Sequence, residues 1–376
     1  MMGHEHCQRI LDVVLSRSSA EQTEGLLIAQ DMQLIRFANN VIHQNVAETN
    51  TTLTVRADVG KRRGSATTND LSDAAIERAA EQARAIALAG PEDPNLPEIP
   101  SPKGQIQNSK DQSSNPAFDD STASCAPEFR AHAVGEVCRR AAEAGLNASG
   151  AFRTGTREWA VANSRGLRAY HAGTLADFVT TAMSDDSAGR AQASGWRVGD
   201  LDTSAAGAEA SDKAARGRNP RPLPADEYPV VFDPYVTDDL LNMLAMHGMS
   251  AEAVQEGRSW MNDRIGQRVM SPAVTIWDDG DDPSGVPLPF DVEGVRRQRV
   301  DIVREGVACG PVHSSRTAAR SGDPHVASTG HAEPPEYRRW NSGPIPLNLF
   351  MKTGDASVAE MIASTNAILR EGLERG

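Results

Sequence analysis

No apolar run in the 376 residues approaches the roughly eighteen needed to cross a bilayer as a helix, which excludes a helical membrane protein. The opening MMGHEHCQRI lacks the basic start and apolar stretch of a secretory leader, so a cytoplasmic location is expected. The four cysteines, Cys7, Cys125, Cys138 and Cys309, are scattered without CxxC or finger spacing. That argues against a disulfide framework and for reduced thiols. Positive charge is scarce: a net charge of −13 and a pI near 5.2 oppose a phosphate-tracking surface, and the clusters GKRRG and VRRQR are too short to reverse this. Gly-rich phosphate loops are absent. What remains is a chain with 39% hydrophobic and 24% charged residues, long enough for two or three domains with real cores.

Periodicity gives the organisation. Cys7, Ile10, Leu11, Val14 and Leu15 recur at helical spacing. Leu53, Val55, Ala57 and Val59 alternate and lead through Gly60 into RRGSATTN, the pattern of a hairpin. A second helix is predicted from about Ser72 to Ala89, closed by Gly90 and Pro91. Residues 91–127 are rich in Pro, Ser, Asn and Asp and read as a linker or long crossover. A helix near Glu128–Gly145 follows, then the strand-like pieces REWAVANS and ADFVTTAMS, which repeat the order of helix and strands in the first ninety residues. A second polar break, TSAAGAEASDKAARGRNPRPLPADE, precedes a predicted strand YPVVFD, a helix, and a last third expected to be mostly β from AVTIWDD, RQRVDIVREG and IPLNLFMKTG.

The most suggestive stretch for chemistry is DLLNMLAMHGM, residues 239–249. Pro234 suits a first helical position with Asp233 as cap, and Val236, Leu240, Leu244 and His247 follow at spacings that place His247 on the apolar side. A zinc-hydrolase helix needs two imidazoles reaching one ion and a carboxylate to take a proton from metal-bound water. Asn242 and Met243, five and four residues before His247, supply neither. The run His4, Glu5, His6, Cys7 collects ligand types, yet histidines two apart on a helix diverge. Asp278, Asp279, Asp281 and Asp282 miss the EF-hand spacing and read as a solvated turn. Ser259 has no GxSxG context. His313, His325 and His331 fall in loops, where a lone histidine is ordinarily exposed.

The segment running from Ala253 through AVQEGRSWMNDRIGQRVMSPAVTIWDDGDDPSGVPLPFDVEGVRRQRVDIVREGV resembles the C-terminal domain of the TldD/PmbA family, the "modulator of DNA gyrase" proteins classed as metallopeptidases. RFANNVIHQN, VRADVGKRRGSATTNDLS and ALAGPEDPNLPEIP are similar to the family's first domain. VANSRGL is similar to its middle domain, and STGH and PIPLNLFMKTGDASVAEMI to its late motifs. In active TldD-type members the metal helix carries His-Glu-x-x-x-His. The resemblance sets those positions on Asn242, Met243 and His247, and only the last matches. A cysteine ligand of active members lies beyond the region matching MIAST, and the chain ends at Gly376 without a counterpart. The runs AMHGMSAEAVQEGRS and DVEGV are closer to the PmbA/TldE-type subunit.

The expected fold is therefore α/β (α+β). Mixed domains at 1–98 and 128–226 are separated by the linker 99–127, and a β-rich domain follows at 227–376. The resemblance implies a non-catalytic subunit with no catalytic residue and no metal on this chain. It also implies zinc or a similar divalent ion on a TldD-like catalytic partner, and extended short or unfolded peptides as the substrate. No substrate-binding residue is assigned, and neither nucleic acid nor membrane is an expected partner. Two other readings stand beside it. One is a stand-alone peptide-binding or structural protein of a biosynthetic pathway. The other is a metallohydrolase with a site rebuilt from His247 and His313, His331 or Asp residues.

Overall fold

The alternation seen at residues 53–59 belongs to a sheet far larger than one hairpin. The computed structural model describes residues 1–102, 117–337 and 343–365, so residues 103–116 of the expected linker lie outside the described residues. The helix α1 (His4–Arg17) leads into β1 (Gln22–Ala38), β2 (Val41–Val59), β3 (Arg62–Thr68) and α2 (Asp73–Ala89). After the single turn α3 (Asp120–Ala123), the order recurs as α4 (Pro127–Glu143), β4 (Asn147–Asn163), β5 (Arg168–Met183), β6 (Ala188–Gly195) and α5 (Thr203–Arg216). All six strands join one antiparallel sheet in the order β3-β2-β1-β4-β5-β6. The two halves meet back to back where β1 pairs with β4, from Glu24 opposite Asn163 to Phe37 opposite Gly150. The repeated order in the sequence thus corresponds to two similar halves of one sheet.

Asn39 and Asn40 turn β1 into β2 with φ of 50° and 61°, the left-handed pair that a tight hairpin needs and that Asn tolerates. Odd-numbered residues of β1 and β2 and even-numbered residues of β4 and β5 face the helices. Leu27, Leu53 and Val55 pack with Leu11 of α1 and Ala80 of α2, while Phe37, Phe152 and Phe178 pack with Val134 of α4 and Ala210 of α5. Each half brings its last helix directly onto a glycine of its last strand. A Cβ on Gly64 would lie 2.2 Å from the Ala83 carbonyl oxygen, and one on Gly189 2.1 Å from that of Ala210. Because backbone blocks the way, Gly64→Ala is expected to lower stability by about 2–3 kcal/mol, read as a shift of the urea midpoint. An unchanged midpoint would refute this close packing.

The C-terminal part comprises α6 (Pro234–Gly248), α7 (Ala251–Gln255), β7 (Ile276–Asp278), β8 (Val300–Arg304), β9 (Val307–Ala308), α8 (Ser315–Arg320), β10 (Leu349–Met351) and α9 (Val358–Ser364). Its strands form a second antiparallel sheet, β10-β7-β8-β9, so the fold is mixed α+β; the strands fall in the segments the sequence marks, but they are short, and among the described residues this part holds more helix than strand, so it is not mostly β. This part covers half of the large sheet's second face. Phe290, Val292 and Ala332 lie on Leu26, Ile28, Trp159, Val161 and Ala169, each large apolar side chain contributing about 1.5–3 kcal/mol. Beside them Arg56 bridges Glu24 at 2.7 Å and Glu293 at 3.8 Å, all three nearly buried. Beyond this contact the residues of that face, such as Met32, Leu34 and Leu175, are half-buried.

Three sequence expectations need correction. The described ends of the expected linker are packed: Ile99 and Ala117 are buried, and Asp119 caps α3 through Thr122. The second polar break contains α5, whose Ala206, Gly207, Ala210 and Ala214 make a face of small residues suited to close approach rather than a loop. YPVVFD forms no strand; Val230 and Phe232 stand exposed with no neighbouring strand to pair, and β-propensity without a partner does not hold an extended segment. Among the described residues no helix is long and apolar enough to cross a membrane.

Candidate functional site

Asp233 caps α6 through the Val236 amide at 3.0 Å, and Lys213 of α5 grips the same carboxylate at 2.8 Å. The helix then buries Leu241, Leu244, Ala245 and Gly248 against Met249, Met261, Ile276 and Ile302. Trp260 fills the space beside Gly248, where a Cβ would meet its ring at 2.0 Å. This packing reverses the expected orientation of His247. Val236, Leu240, Met243 and His247 share the outer face, and all four are exposed. The expectation failed because Leu244 was grouped with them, whereas burial follows Leu241, Leu244, Ala245 and Gly248. Asn242 is exposed too, and its amide returns to the Asp238 carbonyl at 3.0 Å.

The other candidates are occupied by structural contacts. Cys7 is buried, and desolvation pushes its thiol up to about 12, a poor starting point for a thiolate ligand; Glu5 and His6 point to solvent. The Ser259 hydroxyl is buried and donates to the Gly248 carbonyl. The acidic turn is not simply solvated. Asp278 is fully buried, its Oδ1 2.8 Å from His331 Nε2 and its Oδ2 accepting from the Asn348 amide at 2.8 Å. Asn348 in turn ties the Asp279 and Asp282 carbonyls. His331, expected to be exposed, is fully buried, and its Nδ1 lies 2.9 Å from Thr329 Oγ1. Burial opposes the charge on Asp278, yet the His331 hydrogen bond and nearby Arg297 hold its carboxyl below the usual range. Burial keeps His331 neutral by lowering its pKa, against the pull of Asp278. Both His331 nitrogens are therefore engaged, His313 bonds to Thr317, and His325 is exposed. Among the described residues no three His, Cys, Asp or Glu side chains converge as a metal cage, so the structure does not bring His247, His313 and His331 together.

Sequence reasoning missed a cleft. Where the C-terminal part stops covering the large sheet, a cavity of about 350 Å³ opens between β4 and β5 on one side and the wall Val286–Leu288 on the other. Arg157 lies over the Trp159 ring, 4.3 Å from its centre, and pairs with Glu336 across the opening. His171 is 8% exposed here. Burial pulls its pKa from 6.5 to about 4, against a hydrogen bond to the Pro287 carbonyl. The folded value lies below the unfolded one, so the stability gained by keeping His171 neutral is complete above pH 6.5, declines as pH falls, and is gone near pH 4. The difference corresponds to about 3 kcal/mol. His171→Gln, which takes up no proton, should flatten this part of the stability curve between pH 6.5 and 4, measured by urea titration at each pH. Parallel curves for the two proteins would contradict it. The alternation of β4 could have revealed the arginines, but not the surface that faces them.

An α+β architecture of two antiparallel sheets, with a capped helix at the second sheet and a cavity of about 350 Å³ at the first, defines the class. Within it, the chain belongs to the PmbA/TldD metallopeptidase family: residues 225–373 match the PmbA/TldA metallopeptidase C-terminal domain and residues 29–87 match the PmbA/TldA metallopeptidase domain 1. It is 25% identical to metalloprotease PmbA of Escherichia coli O157:H7 over 292 residues, 72% of this chain and 60% of that protein. A metalloprotease of Methanocaldococcus jannaschii is 29% identical over 159 residues, 42% of this chain and 34% of that protein. The chain thus spans about a third of the length of the archaeal relative. In fold it is similar to TldE from Thermococcus kodakarensis, with a TM-score of 0.79 at 18% identity over 95% of this chain and 80% of that one.

The family implies a metal, and the three positions on α6 do not fit one. An amide that bonds back to its own helix and a thioether are poor partners for zinc, and among the described residues no group of three His, Cys, Asp or Glu side chains could hold a metal ion.

Proposed function

We propose that this chain is a non-catalytic, TldE/PmbA-like subunit of a two-subunit metallopeptidase, working with a TldD-like partner that carries zinc or a similar divalent ion. The carrying observation is the outer face of α6. At the positions where active relatives hold ligands and base, it presents Asn242, Met243 and a solitary His247 to solvent. Without two ligands and a base this face cannot generate a metal-bound hydroxide. It can bind. Val236, Leu240 and Met243 are 40%, 43% and 57% exposed along one stripe, and an apolar stripe of this kind supports an interaction surface more readily than a solvated one. On this reading the chain contributes shape: it closes the peptide channel and holds an extended substrate near the partner's metal.

Mixing the protein with a TldD-like homologue bearing an intact His-Glu-x-x-x-His motif should give a complex that elutes as one species in size-exclusion chromatography. Leu240→Asp combined with Met243→Asp, at positions that contribute nothing to the core, should abolish the complex while leaving the circular dichroism spectrum unchanged. Separate elution of the wild-type proteins at micromolar concentration would overturn the proposal and favour a peptide-binding protein that acts without a protease partner.

A further inference from the structure

The large sheet's open face has a direction. The cavity beside Trp159 shares Gln30, Met32 and Arg153 with a second groove of about 250 Å³ that runs on over β1 and β2 past Leu34, Val46 and Glu48. One end is open along the sheet. The other is closed by the C-terminal part, at Val286–Leu288, Pro334 and Leu347. Between Arg153 and Arg157 the intervening residue of β4 on this face is Gly155, opposite Met32 and Leu175, and the Met32 side chain lies over it, its sulfur 2.6 Å from where a Cβ would stand. The residue opposite Arg157 on β5 is Gly173, which leaves a gap beside the guanidinium. Four residues of extended strand separate the two arginines, a span of about 13 Å, which is the reach of four extended peptide residues.

The closed end carries one arginine, Arg157, whose hydrogen-bonding groups are only partly satisfied. Arg157 meets one carboxylate, that of Glu336, through Nη2, while its Nε is buried without a hydrogen-bond partner. Among the described residues it is the one such donor on the lining of this cavity. Guanidinium binds carboxylate best through two parallel N–H groups, and here Glu336 occupies part of that fork. The Arg157–Glu336 and Arg153–Asp177 pairs are both about a third to a half exposed on the arginine side. Such pairs contribute little net stability, so an incoming carboxylate can displace them at small cost.

We propose that this dead-ended groove binds the C-terminal end of a peptide, with the free α-carboxylate on Arg157 and an apolar last side chain against Leu288 and Leu347. The closed end selects a chain terminus over an acidic side chain in mid-peptide, and Glu336 is an internal carboxylate that holds the site until the ligand arrives. The inference rests on the peptide-handling reading above and names the substrate feature it recognises: a peptide end, whether from a short substrate or from a cleavage product.

The test is fluorescence polarisation on the full chain with amino-terminally labelled Ala-Ala-Ala-Leu as free acid, the same peptide as C-terminal amide, and amidated Ala-Glu-Ala-Leu. The free acid should bind at least about tenfold more tightly than either amide, a difference of about 1.4 kcal/mol. Arg157→Gln should remove that preference, Gly173→Val should block binding by filling the gap, and Glu336→Gln should tighten it severalfold by removing the competing carboxylate. The last change is a gain that a folding defect cannot mimic. Equal affinity for acid and amide, binding of the internal glutamate peptide as tight as the free acid, or no saturable binding by both wild type and Glu336→Gln would overturn the proposal. Failure here with partner-dependent complex formation intact rejects the groove alone. Binding here without a complex rejects the subunit reading alone.

Discussion

Replacing His331 by alanine should lower folding stability by about 3–5 kcal/mol, among the largest effects expected of any single substitution in the C-terminal part, because a buried carboxylate loses a hydrogen-bond donor and a ring-sized space opens. The imidazole is fully buried and lies 2.8 Å from Asp278. Removing it leaves a buried carboxylate facing Arg297, whose guanidinium is 3.7 Å away with none of its three nitrogens hydrogen-bonded. Neither charge can reach water, because both side chains are 0% exposed. The Thr329 hydroxyl also loses its contact with His331 Nδ1, and the loss of the Asp278 bond removes a tie between the STGH motif and β7. His331→Asn, which retains a donor but not the reach of the ring to both Asp278 and Thr329, should fall between wild type and alanine. Urea unfolding at pH 7 reads the effect. A loss below about 1 kcal/mol for alanine would mean that the cluster is hydrated and that the His331 hydrogen bonds do not hold the C-terminal part together.

That cluster also marks the limit of what patterning reveals. The helices at His4–Arg17, Asp73–Ala89 and Pro127–Glu143 were legible because each has one apolar stripe and a clear start or stop, such as the Ser72 cap or Pro127 in the first turn. The hairpin through Gly60 was legible from strict alternation. The longest strand pair was not read, although Asn39-Asn40 is a turn signal, because β1 is flanked on both faces and its residues 24–29 form a nearly continuous buried run. α5 was hidden for a different reason: alanines and a glycine pack closely without any large apolar residue. His331 has the pattern of a loop histidine because its buried partner Asp278 is distant in sequence and meets it only through the fold. Helical period located α6 and its Asp233 cap correctly but assigned its faces wrongly, since Val236 and Leu240 are apolar and nevertheless exposed.

The exposed α6 stripe leads to the expectation with the largest consequence. A TldD-like protein with an intact metal motif should cleave an unfolded peptide at least about tenfold faster when this protein is present, corresponding to about 1.4 kcal/mol of transition-state stabilisation. In the proposed complex, two subunits enclosing the cleft would keep an extended substrate near the partner's metal and exclude water from the charged transition state, both of which act on the chemical step rather than on folding. The chain contributes no ligand in this account, so restoring His and Glu at Asn242 and Met243 is not needed for the effect.

The decisive measurement is the initial rate of cleavage of a carboxymethylated, unfolded protein by the TldD-like partner, followed alone, with the wild-type chain, and with the Leu240→Asp/Met243→Asp variant. The account predicts rapid cleavage in the wild-type mixture only, with the variant giving the rate of the partner alone. Equal rates in all three reactions would contradict it.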